Sequence, residues 1–293
     1  MEATRRELFT IMGGMAAYAA TASAAPGQET AAKKATGFLQ FGSRRIAYRD
    51  YGGNGPNLLA LHGTFSRSAT FEPLAAALSG TCRVVTIDQR GHGLSDRAPD
   101  YSRAGYVADA EAAIERLGLA PAIVLGHSLG GINAYQLAAR RPDLVRALVI
   151  EDIGAVVTSD FSFLAAWPRR FPTFRALHAF LRQNMNAIDY FLESAHEFDD
   201  GWGFRWEADD MIATAREASG DWWRDWLGSS CPALLIHGHK SFALTTEHAR
   251  EVAARRPNTK LVEAPHCGHT PHDEDPELFN RTVREFVQSL KNV

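Results

Sequence analysis

From Phe38 onward the chain alternates between short runs rich in β-branched and apolar residues and longer stretches with helical periodicity. A hairpin is predicted first, from runs at 38–41 and 45–51 across a Gly42-Ser43 turn. Strands then follow at 58–62, 83–88, 122–126, 145–151, 233–237 and 260–263, with helices at 71–78, 103–117, 132–140, 247–255 and 276–290. Strands that alternate with helices imply parallel βαβ units. The fold class is therefore α/β: a mostly parallel eight-stranded sheet, helices on both faces, and an antiparallel hairpin at one edge.

The alternation breaks between residues 155 and 230. That stretch holds all six tryptophans (Trp167, Trp202, Trp206, Trp222, Trp223 and Trp226) together with Phe161, Phe163, Phe171 and Phe174, on segments that read as helical. An aromatic helical insertion between two strands predicts a cap over the carboxyl ends of the sheet, where open α/β sheets bind ligands. The same rings also suffice to make the cap's own small core. The resulting division is an α/β body at 38–154 and 231–293 with a cap at 155–230.

Residues 1–25 differ from the rest. Arg5-Arg6, a modestly apolar stretch over 11–22 and Ala22-Ser23-Ala24 form the pattern of a twin-arginine export signal. This predicts an exported, periplasmic or secreted protein, the alternative being a cytoplasmic chain with an amphipathic N-terminal helix. The stretch is too short and too rich in Ala and Gly to span a bilayer, so no stable membrane insertion is expected. Residues 26–37 read as a flexible lead-in.

The composition narrows the partners. Of 293 residues 45% are hydrophobic and 22% charged, enough apolar material for a large core. A net charge of −3 with 31 scattered basic residues offers no field for nucleic acid and points to a small-molecule substrate. Cys82, Cys231 and Cys267 match no zinc spacing and are too few for a disulfide framework, though one disulfide is compatible with export.

The chemistry concentrates at Gly126-His127-Ser128-Leu129-Gly130. An apolar run precedes it and a helical stretch follows it, the strand, sharp turn and helix context in which G-x-S-x-G carries a nucleophilic serine. Glycines on both sides remove the Cβ atoms that such a turn would crush. A serine nucleophile needs a base, an acid to orient the base, and N–H donors for the oxyanion. His269, on the Gly-containing loop after the last predicted strand, is the candidate base; His266 and His272 are its competitors. Their H-x-x-H-x-x-H spacing lies on a loop with no partnered carboxylate pattern, which is poor metal geometry, so no metal is expected. The oxyanion donors are the backbone N–H of Leu129 and of Thr64, with Phe65 as the alternative to Thr64. His62 reads as a structural hydrogen-bonding residue, and Asp88-Gln89-Arg90-Gly91-His92-Gly93-Leu94-Ser95-Asp96 as a tightly bonded supporting turn.

The acid breaks the usual chain order. After the strand at 233–237 the loop reads Gly238-His239-Lys240-Ser241-Phe242, with Ser241 where a carboxylate would be expected. Glu151 and Asp152 end the preceding strand instead. Neighbouring strands lie about 4.8 Å apart, so a tip residue of either can reach the same imidazole. Adjacent strand residues face opposite sides, and Asp152 is assigned, with Glu151 and Glu247 as alternatives. Phe65, Trp167 and Trp202 are candidate substrate contacts.

With these motifs in hand, the chain from about Phe38 resembles the α/β-hydrolase fold superfamily, carried by Leu61-His62-Gly63, Asp88 to Ser95, Gly126 to Gly131 and Gly268-His269 in the family's order. Asp152-Ile153-Gly154, Gly201 to Trp206 and Gly238-His239-Lys240-Ser241 further resemble serine esterases whose acid follows strand six. The usual proline after the strand-six motif is Ala155 here. The resemblance implies a cofactor-free hydrolase of short or medium acyl esters. Lactonase, C–C bond hydrolase and perhydrolase use the same triad on this scaffold, and a non-catalytic ligand receptor of the same fold is the rival of another class. Epoxide hydrolase and haloalkane dehalogenase need a carboxylate where Ser128 stands.

Overall fold

A computed structural model describes residues 34–185 and 188–290; the export-signal pattern of residues 1–25 lies outside them. Eight strands form one sheet: β1 (Ala35–Phe41), β2 (Arg44–Asp50), β3 (Asn57–Leu61), β4 (Arg83–Ile87), β5 (Ala122–His127), β6 (Val145–Glu151), β7 (Ala233–Gly238) and β8 (Thr259–Ala264). Their spatial order is β1-β2-β4-β3-β5-β6-β7-β8. β2 pairs antiparallel with both β1 and β4, and every other pairing is parallel. β1 begins inside the stretch read as lead-in, because Ala35 and Thr36 pair with Asp50 and Arg49. Those residues carry no apolar alternation, so only the backbone ladder reveals them.

The pleat divides the core. Leu59, Leu61, Val85, Val124, Leu148 and Leu235 point to one face, and Leu58, Ala60, Val84, Ile123, Val149 and Leu234 to the other. The first face packs against α2 (Arg103–Arg116), α3 (Leu129–Arg140) and α8 (Thr246–Arg255). The second is covered by α1 (Glu72–Leu78) and α9 (Pro276–Ser289). Burial on both faces is what makes these strands read as continuous apolar runs rather than alternating ones.

The insertion after β6 is less helical than its sequence implies. It contains α4 (Phe174–Asn184), α5 (Ile188–Leu192), α6 (Ala208–Ala218) and α7 (Trp223–Trp226). It also contains an antiparallel hairpin, Ala195–Phe198 with Gly201–Phe204, and a two-residue ladder joining Val156–Val157 to Gly220–Asp221. Gly201 makes the hairpin turn with φ of 124°, which only glycine adopts without strain. Strands this short leave too few residues for a period of two to be distinguished from a helical pattern.

The six tryptophans also divide. Trp206 is buried in the cap cluster, with Trp167 and Trp202 packed against it. Trp226 is instead buried beside Tyr135 of α3, its Nε1–H donating to the carbonyl of Val252, and Trp222 and Trp223 pack on the same body cluster. Cys231 and Cys267 are free thiols, and Cys82 is buried. Among the described residues no helix is long and apolar enough to cross a membrane.

Candidate active site

Register brings the tips of β5, β6 and β7 level: His127 pairs with Glu151, and Glu151 with Ile236. Ser128 follows directly, with φ of 51° and ψ of −115°, and Leu129 opens α3. A non-glycine residue held there costs on the order of 1–3 kcal/mol, supplied by the surrounding packing. Three close approaches explain the flanking glycines. A Cβ on Gly126 would press into the carbonyl of Gly130, one on Gly130 into the carbonyl of Leu61, and one on Gly131 into Ile153. The Gly130 contact also sets the end of β3, and hence Thr64, beside the start of α3. Neither Thr64 N–H nor Leu129 N–H has an acceptor among the described residues, and α3 adds its dipole at Leu129.

The supporting turn after β4 holds this loop in place. Asp88 accepts from the N–H of Ser68 at 2.6 Å and of Leu94 at 2.8 Å, and Gln89 N–H donates to His62 Nε2 at 2.9 Å. His62 is fully buried, so desolvation lowers its pKa, and its Nδ1 hydrogen-bonds the Gly63 carbonyl at 2.7 Å.

Asp152, at φ of 50°, turns its carboxylate into the loops after β7 and β8. Oδ2 lies 2.7 Å from His269 Nδ1. Oδ1 accepts from Gly238 N–H at 3.0 Å and lies 3.0 Å from His237 Nδ1. Ser241 Oγ–H donates to Oδ2. Burial alone would raise this carboxyl; hydrogen bonds from His237 and His269, with the charge of His269 and the bond from Ser241, outweigh it and hold it below the usual range. Ser241, where chain order predicts a carboxylate, is instead a donor to Asp152.

The three histidines of the last loop go to different places. His266 is exposed, His269 is joined to Asp152, and His272 is joined to Glu151. Glu151 Oε1 accepts from both the backbone N–H and Nδ1 of His272, at 2.7 and 2.8 Å. Glu247 is exposed in the first turn of α8. His127 ties the elbow to the His269 loop, its Nε2 lying 2.8 Å from the His269 carbonyl and its ring 4.7 Å from the His269 ring. That carbonyl fixes the proton on Nε2; burial, then the nearby charges of His269 and His272, keep the ring neutral. Among the described residues Ser128 Oγ has no hydrogen bond, and His269 Nε2 has none either.

Phe65, with φ of 73°, follows Thr64 and packs on Phe161, Phe191 and Trp206 at ring separations of 4.7, 4.8 and 5.1 Å. Trp167 lies behind these, against Phe163, Phe180, Phe191 and Phe204. Trp202 stacks edge-on to Phe174 on the hairpin. Sequence reasoning missed Phe242, which is 83% exposed with its ring 4.8 Å from that of His269. Its place in the sequence, directly after Ser241, carries no motif that marks it.

Residues 58–282 match the model of the alpha/beta hydrolase family. The chain belongs to that family. It is 31% identical over 250 residues to a 2-(acetamidomethylene)succinate hydrolase of Mesorhizobium japonicum, covering 81% of this chain and 90% of the relative. It is 29% identical to an sn-1-specific diacylglycerol lipase of Mus musculus, covering 79% and 81%. The crystal structure of E-2-(acetamidomethylene)succinate hydrolase superposes with a TM-score of 0.76 at 28% identity, covering 87% of this chain and 99% of that one. In this alpha/beta hydrolase the strand-end loops meet where the family fold places its chemistry.

The Glu151–His272 pair makes a testable contribution to stability. Burial pushes the His272 imidazole down, but the adjacent Glu151 carboxylate, by charge and hydrogen bond, raises it above the ordinary histidine value. A histidine raised in the folded state stabilises fully below its unfolded value, about 6.5, and loses that contribution as pH rises through its folded value. The melting temperature is therefore expected to fall above neutral pH, and His272→Gln to flatten that fall. Thermal unfolding of both proteins across pH 5–9 checks this; parallel curves would refute it.

Proposed function

We propose that this alpha/beta hydrolase is an exported serine hydrolase that cleaves carboxylic esters of small apolar substrates through an acyl-enzyme, without a cofactor. Ser128 Oγ attacks the carbonyl carbon while its proton passes to His269 Nε2. Asp152 orients His269 through Nδ1 and stabilises the imidazolium that forms. The N–H groups of Thr64 and Leu129 hold the oxyanion. His269 then protonates the departing alkoxide, and a water, deprotonated by the same nitrogen, releases the acid. This step requires an Oγ to Nε2 hydrogen bond that the described residues do not make at rest, one of the kind that forms as substrate binds.

The observation that carries this reading is the 2.7 Å contact between His269 Nδ1 and a buried, ionised Asp152, beside a serine held at a positive φ. Export rests on the Arg5-Arg6 pattern. The test is a panel of p-nitrophenyl esters of increasing chain length, with a lactone and an anilide, alongside a fluorophosphonate probe. Turnover of short or medium esters with labelling of Ser128 is expected. Neither turnover nor labelling would favour a ligand receptor instead.

Phe242 gives a separate expectation. Removing its ring is expected to forfeit about 1 kcal/mol of apolar contact with the substrate. Phe242→Ala should thus raise KM roughly fivefold for an aryl ester, with kcat and melting temperature little changed. An unaltered KM would place the substrate elsewhere.

A further inference from the structure

Tyr190 is a cap residue that reaches the nucleophile turn. It lies on α5, and its ring stands edge-on to both His127, at 5.9 Å and 86°, and His269, at 6.5 Å and 71°. His127 immediately precedes Ser128, and His269 is the imidazole joined to Asp152. Its hydroxyl sits so near Gly63 that a Cβ there would overlap both the Tyr190 oxygen and His127 Nδ1. The hydroxyl therefore reaches the residue immediately before Thr64, on the loop that supplies an oxyanion N–H.

Two polar atoms at this point are unused. Among the described residues Tyr190 Oη has no hydrogen-bond partner, and buried His127 Nδ1 has none either. His127 offers only a lone pair there, since its proton is committed to the His269 carbonyl through Nε2. Burial first, then the charges of Glu193 and Glu151, hold the phenol well above its ordinary pKa, so it keeps its proton. A buried acceptor left without a donor, as His127 Nδ1 is, carries a desolvation penalty and calls for an explanation.

Resting on the hydrolase reading of Ser128, we propose that Tyr190 O–H is a third hydrogen-bond donor to the oxyanion, delivered by the cap to complement the N–H groups of Thr64 and Leu129. In the resting enzyme the hydroxyl and the lone pair of His127 Nδ1 lie on the same side of Gly63. Attack by Ser128 turns the substrate carbonyl oxygen into a full anion, a stronger acceptor, and the hydroxyl donates to it. No proton is transferred from Tyr190 in this step; it stabilises charge by hydrogen bonding alone. The cap would in this way contribute to rate as well as to substrate choice.

Tyr190→Phe keeps the ring and removes only the hydroxyl. With a short-chain p-nitrophenyl ester, kcat is expected to fall roughly 10- to 100-fold, at or below the loss seen when one oxyanion donor is removed. KM should stay within about twofold, because the interaction is made only in the transition state. Inhibition by a trifluoromethyl ketone, which forms a tetrahedral oxyanion on serine, should weaken by the same factor as kcat. A purely structural tyrosine would shift KM or melting temperature and leave the match between kcat and inhibitor affinity absent. Unchanged kcat, or reduced kcat with undiminished inhibitor affinity, overturns the assignment. Fluorophosphonate labelling separates the two levels. A wild-type enzyme that neither labels nor turns over brings down the Ser128 reading, and this assignment with it. Normal labelling and turnover in both proteins brings down Tyr190 alone.

Discussion

Ser128→Ala is expected to lower ester turnover by about five to six orders of magnitude, since nucleophile, base and acid act as one unit and losing the first leaves the others without a task. What remains should be the modest catalysis of the oxyanion donors and substrate positioning, on the order of 10³-fold over water. The fold should persist. The Ser128 side chain makes no hydrogen bond among the described residues, and alanine there keeps a Cβ in the same strained backbone. Loss of stability rather than of turnover would mean that the turn is only architectural. Steady-state assays with a matched melting curve distinguish the two results.

The second large effect concerns the acid. Asp152→Asn preserves shape while replacing one carboxylate oxygen by an NH₂ group, which cannot accept from His269 Nδ1–H. Turnover is expected to fall about 10⁴-fold, the cost of the wrong imidazole tautomer and an unstabilised imidazolium. Ser241 Oγ–H, which donates to the same oxygen, also loses its acceptor, so some loss of stability should accompany it. Ser241 donates to the same oxygen that His269 contacts, which puts its Cβ close to the imidazole. Adding Ser241→Asp to Asp152→Asn is therefore expected to recover part of the lost kcat, measurable with the same ester. Full activity in the single variant would remove Asp152 from the mechanism.

Several parts of this site were legible because their signal is local. The elbow is one continuous segment, and the glycines that make it possible are adjacent in sequence to the serine they serve. Asp152 was legible from a negative feature, Ser241 in the place of a carboxylate, combined with strand spacing. The sheet was readable because strands buried on both faces leave unbroken apolar runs. What stayed hidden depends on the path of the cap and loops. Tyr190 is separated by 62 positions from Ser128 and shows no motif. Phe242 is remarkable in sequence only as another phenylalanine, and becomes a site residue when the loop after β7 sets it against His269. The Glu151–His272 pair is invisible in sequence because 121 positions separate its members and each carries a local pattern of its own, an acid at a strand end and a base on a loop. The cap hairpin escaped because four-residue strands carry almost no periodicity.

The central claim is that Ser128 becomes covalently acylated, and the most direct test is the intact mass of enzyme quenched in acid within milliseconds of mixing with p-nitrophenyl acetate. One added acetyl group, mapped to the peptide containing Ser128 and missing from Ser128→Ala, is the expected result. Rapid p-nitrophenol release with no acetyl group on Ser128, and equal turnover in the alanine variant, would contradict the account.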